Sequence, residues 1–140
     1  MHEKLESDLD YRSLFEKMPI IGYVVARDWR IVAVTERLLD AIHRSRDEVV
    51  GQDVFETFPD NPDDPNADGS AVMRASLERA FATGASEKLP RQRYDAPPAH
   101  DGDAFEERYW HPENVPVTDS AGDVAFVIHT VIDAGNPQGE

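Results

Sequence analysis

Residues 105–133 read FEERYWHPENVPVTDSAGDVAFVIHTVID and contain two segments rich in β-branched and aromatic residues. The segments Phe105–Val117 and Val124–Asp133 are separated by TDSAG, a sequence typical of turns. They therefore predict two neighbouring strands. Because Pro112 and Pro116 cannot donate ladder hydrogen bonds, the first strand is expected to be irregular or at a sheet edge near them.

The last predicted strand, VAFVIHTVI, is apolar at both alternating sets of positions. One face must cover the core, and the other then needs a partner, either an N-terminal helix or a second copy of the chain. His129 lies in the middle of this run. The sequence leaves open whether its side chain faces a pocket, the N-terminal helix or a second subunit, and a structural histidine is favoured over a ligand.

The N-terminal half begins with a predicted amphipathic helix followed by a hairpin. Apolar residues follow helical spacing over residues 5–18, and Pro19 ends the pattern. The next residues, IIGYVVARDWRIVAVT, predict two strands, Ile20–Ala26 and Ile31–Thr35, around a four-residue turn.

Helical segments occupy the middle of the chain. Leu38, Leu39 and Ile42 predict a short helix; Ser45 and Glu48 form a capping box for the next, and a further turn is expected around Phe55. A longer helix is expected from a cap at Ser70 to about Thr83, with Gly84 as its left-handed stop.

A third strand, Glu87–Asp95, completes the predicted order: helix, two strands, several helices and three strands. Strands split around a helical insert favour an α+β domain. We expect a five-stranded antiparallel sheet with the helical insert over one face and an N-terminal amphipathic helix.

The composition excludes several classes of site and partner. The 140-residue chain contains no cysteine, so it can form no disulfide, thiolate metal site or cysteinyl–flavin adduct. Its formal net charge of −14 disfavours nucleic acids and anionic membrane surfaces. No apolar run is long enough to span a bilayer, and the charged N-terminus does not resemble a signal peptide. A cytoplasmic location is the expectation.

An acidic loop, DPNADG at residues 64–69, partly matches the start of a calcium-binding loop. Such a loop needs a bidentate acid at its twelfth position, which is Ala75 here. No calcium site is therefore predicted, and no other metal motif occurs.

Three separated segments resemble the PAS domain, a sensory module common in bacterial signalling proteins. They are VARDWRIVAVTERLLDA at 25–41, VGQDVFETFPDNPDDPNADG at 50–69 and the segment 105–133. They resemble the PAS subfamily found in bacterial sensor histidine kinases. In these terms the chain divides into an N-terminal helix at residues 1–18, a PAS domain at 19–134 and a disordered tail at 135–140.

The resemblance implies a pocket between the sheet and the helical insert. Members often dimerise through an N-terminal helix and relay a signal to a kinase, a cyclase or a transcription domain. The Asp-x-Thr motif that often follows the last strand of the family reads Asp133-Ala134-Gly135 here.

Large apolar residues at the corresponding positions are candidates for the pocket lining, although the same residues would also fill a core. The candidates are Phe55, Phe58, Met73, Leu77, Phe81, Tyr94, Tyr109, Trp110, Phe126 and Ile128. The resemblance implies that a haem-binding member would carry an axial histidine on the long helix; the predicted helix contains none, so haem is not expected, and a cysteinyl flavin is excluded. The cofactor is left unknown, with a non-covalent flavin still open.

The function predicted is a non-catalytic PAS sensory module that binds a small ligand or a partner. It would modulate a histidine kinase or another effector, in cis or in trans, as a homodimer. The candidate interface residues are Leu5, Leu9, Leu14, Phe15 and His129. The alternatives are a ligand-free dimerisation scaffold and, from another class, a small α+β enzyme, although no catalytic motif occurs.

Overall fold

The two strands predicted at the end of the chain pair in an antiparallel sheet in the computed structural model, which describes residues 9–98 and 103–135. Over these residues the strands are β1 Ile21–Ala26, β2 Ile31–Val34, β3 Glu87–Lys88, β4 Gln92–Arg93, β5 Tyr109–Thr118 and β6 Val124–Asp133. Their order is β2-β1-β6-β5, and β3 and β4 both pair with the other side of β5. The sheet thus has five strand positions, which confirms the predicted five-stranded antiparallel architecture.

The third strand position is interrupted, so the prediction of one continuous strand over Glu87–Asp95 was wrong. Pro90 falls between β3 and β4 and has no N–H to donate to the ladder. The Leu89 N–H still donates to the Pro112 carbonyl at 2.8 Å, after which regular pairing resumes only at Gln92.

The two prolines of β5 lie in an interior strand, between β6 and the β3–β4 position. The Pro112 carbonyl accepts from Leu89, so it faces the β3–β4 side. In an antiparallel strand the nitrogen and the carbonyl of one residue point to the same neighbour, so the Pro112 nitrogen faces that side as well. The two-residue period directs the Pro116 nitrogen the same way. The two proline nitrogens, which carry no N–H, therefore face the interrupted β3–β4 position. On its other side, β5 pairs with β6 from Trp110 to Thr118. The predicted irregularity occurs in the neighbouring strand position and also in β5, whose register with β6 shifts between Val117 and Thr118, just after Pro116.

Five helices occur in the described ranges: α1 Tyr11–Lys17, α2 Glu36–Ile42, α3 Arg46–Val49, α4 Val54–Thr57 and α5 Gly69–Thr83. Polar caps begin the short ones. The Thr35 hydroxyl accepts from the Leu38 N–H at 3.2 Å, and the Ser45 N–H donates to Glu48 at 2.9 Å in the predicted capping box.

The long helix α5 buries the predicted face, which includes Met73, Leu77 and Phe81, and ends at Gly84 with φ of +71°. The predicted cap at Ser70 was wrong. The helix begins two residues earlier, with Asp68 at the N-cap position, and the Ser70 N–H donates to Asp60 Oδ1 at 2.9 Å. A more distant carboxylate therefore satisfies the N–H group.

The core lies between one face of the sheet and helices α2 to α5. Its fully buried members include Val25 and Ile31 from the first hairpin, Leu77 from α5 and Val127 from β6. On β6 the inward residues from Val127 to Val131 are odd-numbered, because successive side chains of a strand point to opposite faces. The buried Val124 lies before this alternation, where the register with β5 shifts.

Helix α1 lies beside the edge strand β2 and helices α2 and α3. Arg12 donates to the Val32 carbonyl at 2.9 Å, and Glu16 pairs with Arg46 at 3.5 Å. Helix α1 buries none of its residues. The outer sheet face exposes Phe126 and Ile132.

The predicted terminal segments are described only in part. The helix expected over residues 5–18 is described from Leu9, and its helical part is Tyr11–Lys17. Leu5 and residues 136–140 of the expected tail lie outside the described residues.

Truncating Leu77 to alanine tests the contribution of α5 to the core. We expect Leu77→Ala to lower the free energy of unfolding by about 2–5 kcal/mol, because it leaves a cavity beneath the helix. The measurement is urea denaturation followed by circular dichroism. Leu14→Ala on α1, where the side chain is 48% exposed, is the control and should cost less than about 1 kcal/mol. Equal effects of the two variants would contradict the assigned core.

Candidate ligand-binding site

A cavity of about 70 Å³ lies between the inner face of the sheet and the helices. Its sheet side is formed by Gly22, Tyr23, Trp110, Pro112, His129 and Val131. Its helix side includes Leu38, Ile42, Val54, Phe55, Phe58 and Met73. At about 10–15 Å³ per water molecule, the space suits roughly five to seven non-hydrogen atoms.

The wall formed by residues 92–97 is held in place by hydrogen bonds from several elements. The Tyr94 hydroxyl donates to the Phe58 carbonyl, and the Trp110 indole N–H donates to the Tyr94 carbonyl at 2.9 Å. Gly69 packs against the Tyr94 ring so closely that a Cβ atom there would come within 2.6 Å of it. Glycine at this position therefore lets the start of α5 approach the wall.

Asp95 also lines the cavity, but its carboxylate is already paired. It accepts from Arg93 at 2.9 and 3.0 Å, from Asn61 at 2.9 Å and from the Arg108 N–H at 3.1 Å. Burial acts to raise the pKa of Asp95, but these hydrogen bonds and the guanidinium charge outweigh it and lower the pKa. Asp95 thus remains ionised and fixes the wall.

The sequence-derived pocket candidates divide into two groups. Phe55, Phe58, Met73, Tyr94 and Trp110 line the cavity. The other five do not: Leu77, Phe81, Tyr109, Phe126 and Ile128.

The positions of the second group follow from helix and strand geometry. Leu77 is fully buried in the core, and Phe81 packs edge-to-face against Trp29 at 5.8 Å, outside the cavity lining. Tyr109, Phe126 and Ile128 point to the outer face of the sheet, because they lie one residue away from Trp110, Val127 and His129.

The structure places His129 inside the protein rather than at an outer interface. Its side chain is 5% exposed and lines the cavity, and its ring lies against Tyr23 with centroids 4.6 Å apart. The other interface candidates lie on or next to α1, where Leu9 and Leu14 are exposed and Phe15 is half-buried.

Asn114 and Ser76, which the sequence did not single out as site residues, connect His129 to the protein surface. His129 Nδ1 lies 2.8 Å from Asn114 Oδ1, and Asn114 Nδ2 donates to Ser76 Oγ at 2.8 Å. Ser76 donates to Glu87 Oε1 at 2.7 Å, and Arg79 holds the same carboxylate. The two-residue period of a strand could have assigned Asn114 and Trp110 to one face of the sheet. No local sequence signal identifies Ser76 and His129 as the hydrogen-bond partners of Asn114.

Burial and hydrogen bonding set the charge states along this chain. Burial lowers the pKa of His129 to about 3, so the imidazole is neutral near pH 7. The hydrogen bonds from Ser76 and then Arg79 lower the pKa of Glu87, which keeps it anionic. Burial raises the pKa of Tyr23, so that side chain stays a neutral phenol.

The acidic loop and the residues just before it, together residues 60–69, fix neighbouring elements in the described structure. Asp60 accepts from the first turn of α5, Asn61 binds Asp95, and Asp64 pairs with Arg93 at 3.5 Å. Across residues 9–98 and 103–135 there is no group of three or more His, Asp or Glu side chains placed to hold a metal ion. In the same ranges, no helix has the length and apolar character needed to cross a bilayer.

These features define an α+β module in which one sheet face and a helical insert enclose a small, mainly apolar cavity. The chain belongs to the PAS fold family, whose model matches residues 15–138. A sequence search of curated proteins finds no match. The family assignment confirms the resemblance seen in the sequence.

Solved structures share this fold at low sequence identity. A sensory box sensor histidine kinase from Vibrio cholerae aligns with 18% identity and a TM-score of 0.59 over 94% of each chain. The PAS domain of Bordetella pertussis BvgS aligns with 20% identity and a TM-score of 0.62, covering 97% of this chain and 90% of its own. A Rhodobacter sphaeroides LOV protein aligns with 14% identity and a TM-score of 0.66, covering 98% and 70%.

The larger cofactors considered from the sequence exceed the cavity volume. Haem and the tricyclic flavin ring are larger than about 70 Å³, so either would have to extend through the open side of the cavity. The chain also lacks a cysteine for a flavin adduct. A histidine does face the cavity, from β6 rather than from the long helix, so volume rather than ligand chemistry argues against haem.

The buried neutral histidine predicts a loss of stability in acid. Between pH 6.5 and 3 the unfolded chain binds a proton at His129 that the folded protein does not, so stability falls as the pH falls. We expect this residue to contribute about 1.4 kcal/mol per pH unit in that window. Urea denaturation at several pH values, comparing the wild type with His129→Gln, measures the difference.

The exposed His111 on β5 supplies the matched control. His111→Gln is the same substitution at an exposed position of β5, and it should leave the pH dependence that His129 causes unchanged. Identical pH dependence in the wild type and His129→Gln would contradict a neutral, buried His129.

Proposed function

We propose that this PAS domain is a non-catalytic sensory module that binds a small molecule in the cavity and modulates a signalling effector. The observation that carries the proposal is the partly open, mainly apolar cavity with a few polar groups, which is typical of small-molecule sites. A cytoplasmic setting, expected from the sequence, belongs to the same proposal.

The cavity is placed so that a ligand would contact both layers of the fold. Met73 from α5 and Phe58 after α4 lie on one side, with Tyr23 from β1 and His129 from β6 on the other. A ligand that binds one packing of α5 on the sheet more tightly than another would shift the population between them. This difference in affinity is the proposed signal.

A histidine kinase is the proposed effector, in cis or in trans. Support comes from the fold shared with a sensory box sensor histidine kinase and with the BvgS PAS domain. Strand β6 ends at Asp133, close to the end of the described residues. A shift of β6 against β1 would move this end of the domain.

A second candidate function is a dimerisation scaffold, because large apolar side chains remain exposed on two surfaces. On the outer sheet face, Ile132 is 71% exposed and Phe126 is 39% exposed. On α1, Tyr11 is 74% exposed and Leu14 is 48% exposed. Exposed large apolar side chains suit a protein partner, and a second copy of the chain is the proposed one.

Blocking the cavity tests the ligand-sensor proposal. Val131→Phe should fill the space from β6, so that a ligand retained by the purified wild-type protein, or a small molecule that raises its melting temperature, no longer binds. Mass spectrometry and thermal-shift measurements with a panel of small molecules detect binding. Val117→Phe, a matched change on the outer face, should bind like the wild type. No binding to the wild type across the panel would contradict the sensor proposal.

Charged substitutions test the dimer. We expect Leu14→Glu or Ile132→Glu to convert a dimer to a monomer at tens of micromolar, because a carboxylate cannot be buried unpaired in an apolar interface. Light scattering measures the molecular mass. Asp119→Glu, at the exposed turn between β5 and β6, is a control that should leave the dimer intact. A monomeric wild type would remove the dimer from the proposal.

A further inference from the structure

The hydrogen-bond chain that starts at Glu87 has a fixed direction. An ionised carboxylate only accepts hydrogen bonds, so the hydroxyl of Ser76 must donate its hydrogen to Glu87 Oε1, 2.7 Å away. The Ser76 oxygen is then left to accept, and it accepts from Asn114 Nδ2 at 2.8 Å. The charge at the protein surface therefore determines how the buried hydroxyl is oriented.

The orientation of Ser76 fixes the amide of Asn114 in turn. Its nitrogen points to two acceptors, Ser76 Oγ and the Met73 sulfur at 3.9 Å. Its oxygen consequently faces His129 Nδ1, 2.8 Å away. Because an amide oxygen can only accept, Nδ1 must carry the hydrogen.

A neutral imidazole with its hydrogen on Nδ1 has a free lone pair on Nε2. Within residues 9–98 and 103–135, the hydrogen bond of the His129 side chain is the one at Nδ1, and Nε2 is not among the fully buried atoms without a partner. Nε2 is therefore an unpaired acceptor that remains accessible, in a side chain that is 5% exposed. The Tyr23 ring lies against the imidazole with centroids 4.6 Å apart and a tilt of 30°. His129 lines the cavity, so the unpartnered acceptor belongs to the cavity wall.

The surrounding wall leaves the hydrogen to be supplied by a ligand. Most donors in the lining are already used: Tyr94 donates to the Phe58 carbonyl, Trp110 to the Tyr94 carbonyl, and Gln92 to Asp68 and the Arg93 carbonyl. The Tyr23 ring lies against the imidazole ring, and no hydrogen bond joins the Tyr23 hydroxyl to His129 in the described residues. Asp95, the acid in the lining, is occupied by Arg93, Asn61 and the Arg108 N–H. A donor on a ligand would replace the solvent at this acceptor and give it a partner inside a mainly apolar cavity.

We infer that the cavity selects a small, uncharged molecule with an apolar body and one O–H or N–H group, and that this group donates its hydrogen to His129 Nε2. This assignment deepens the proposed function and rests on it. Carboxylates and other acceptor-only groups are disfavoured because they would meet the lone pair of Nε2. Charged amines are disfavoured because the mainly apolar wall cannot replace their hydration.

Phenol and toluene are matched probes for this selectivity. They have the same ring and nearly the same size, and only phenol carries a hydrogen-bond donor. In NMR titrations, the ratio of the toluene to the phenol dissociation constant should fall roughly five- to tenfold from the wild type to His129→Phe, as expected for the loss of one neutral hydrogen bond. Val131→Phe should weaken the binding of both probes.

The outcomes distinguish the donor selectivity of the cavity from the proposal that the cavity is a ligand site. If both probes bind the wild type and are blocked by Val131→Phe, but His129→Phe leaves the ratio unchanged, the donor selectivity is overturned and the ligand site stands. If neither probe binds the wild type, or if both still bind Val131→Phe as tightly, the cavity as a ligand site is overturned as well.

The tautomer can be measured without any ligand and without a variant. Long-range ¹H–¹⁵N NMR of the wild type should give a protonated, pyrrole-like Nδ1 and a pyridine-like Nε2 for His129. The opposite assignment would overturn the inference even if His129→Phe fails to fold. Ser76→Ala should produce a mixture of tautomers, since the Asn114 amide loses its main fixed acceptor, and an unchanged single tautomer would show that Glu87 does not set the direction.

Discussion

The Asn114 side chain joins the sheet, the long helix and the cavity. Across four neighbouring strands, Tyr23, His129, Asn114 and Glu87 are paired in one row on the inner face. Asn114 bonds to His129 within this row and to Ser76 on the helix above it. Because each of these buried groups would be costly without its partner, the network favours one placement of α5 on the sheet.

The same row has different neighbours on its two sides. Val127 and Leu77 pack in the closed core, whereas Pro112, Val131 and Trp110 line the open space of the cavity. His129 is shared by both regions: one nitrogen is satisfied by the protein, and the other faces the cavity. His129 thus contributes both to the packing of the protein and to the proposed ligand site, so substitutions there should change stability and ligand preference together.

The outer face of the sheet, unlike the inner face, exposes large apolar side chains. It presents Phe126 and Ile132 to solvent, and α1 lies at the β2 edge instead of covering them. From Phe126 onward, strand β6 contributes to both faces: Val127, His129 and Val131 point inward, and Phe126, Ile128 and Ile132 point outward. A ligand beneath this strand and a second protomer above it would therefore act on the same ten residues, which gives a short physical route from binding to assembly.

The sequence by itself determined the order of elements, the five-stranded antiparallel sheet and the PAS family, because these depend on local periodicity, caps and turns. It also placed Phe55, Phe58 and Met73 at positions that the cavity uses. The sequence could not assign the faces of VAFVIHTVI, since both alternating sets are apolar, nor link Asn114 to Ser76 and Glu87, nor identify Pro90 as the break in a strand. Those features depend on the cross-strand register and on the docking of α5, which are contacts between residues far apart in the chain. Only the tertiary structure decided them.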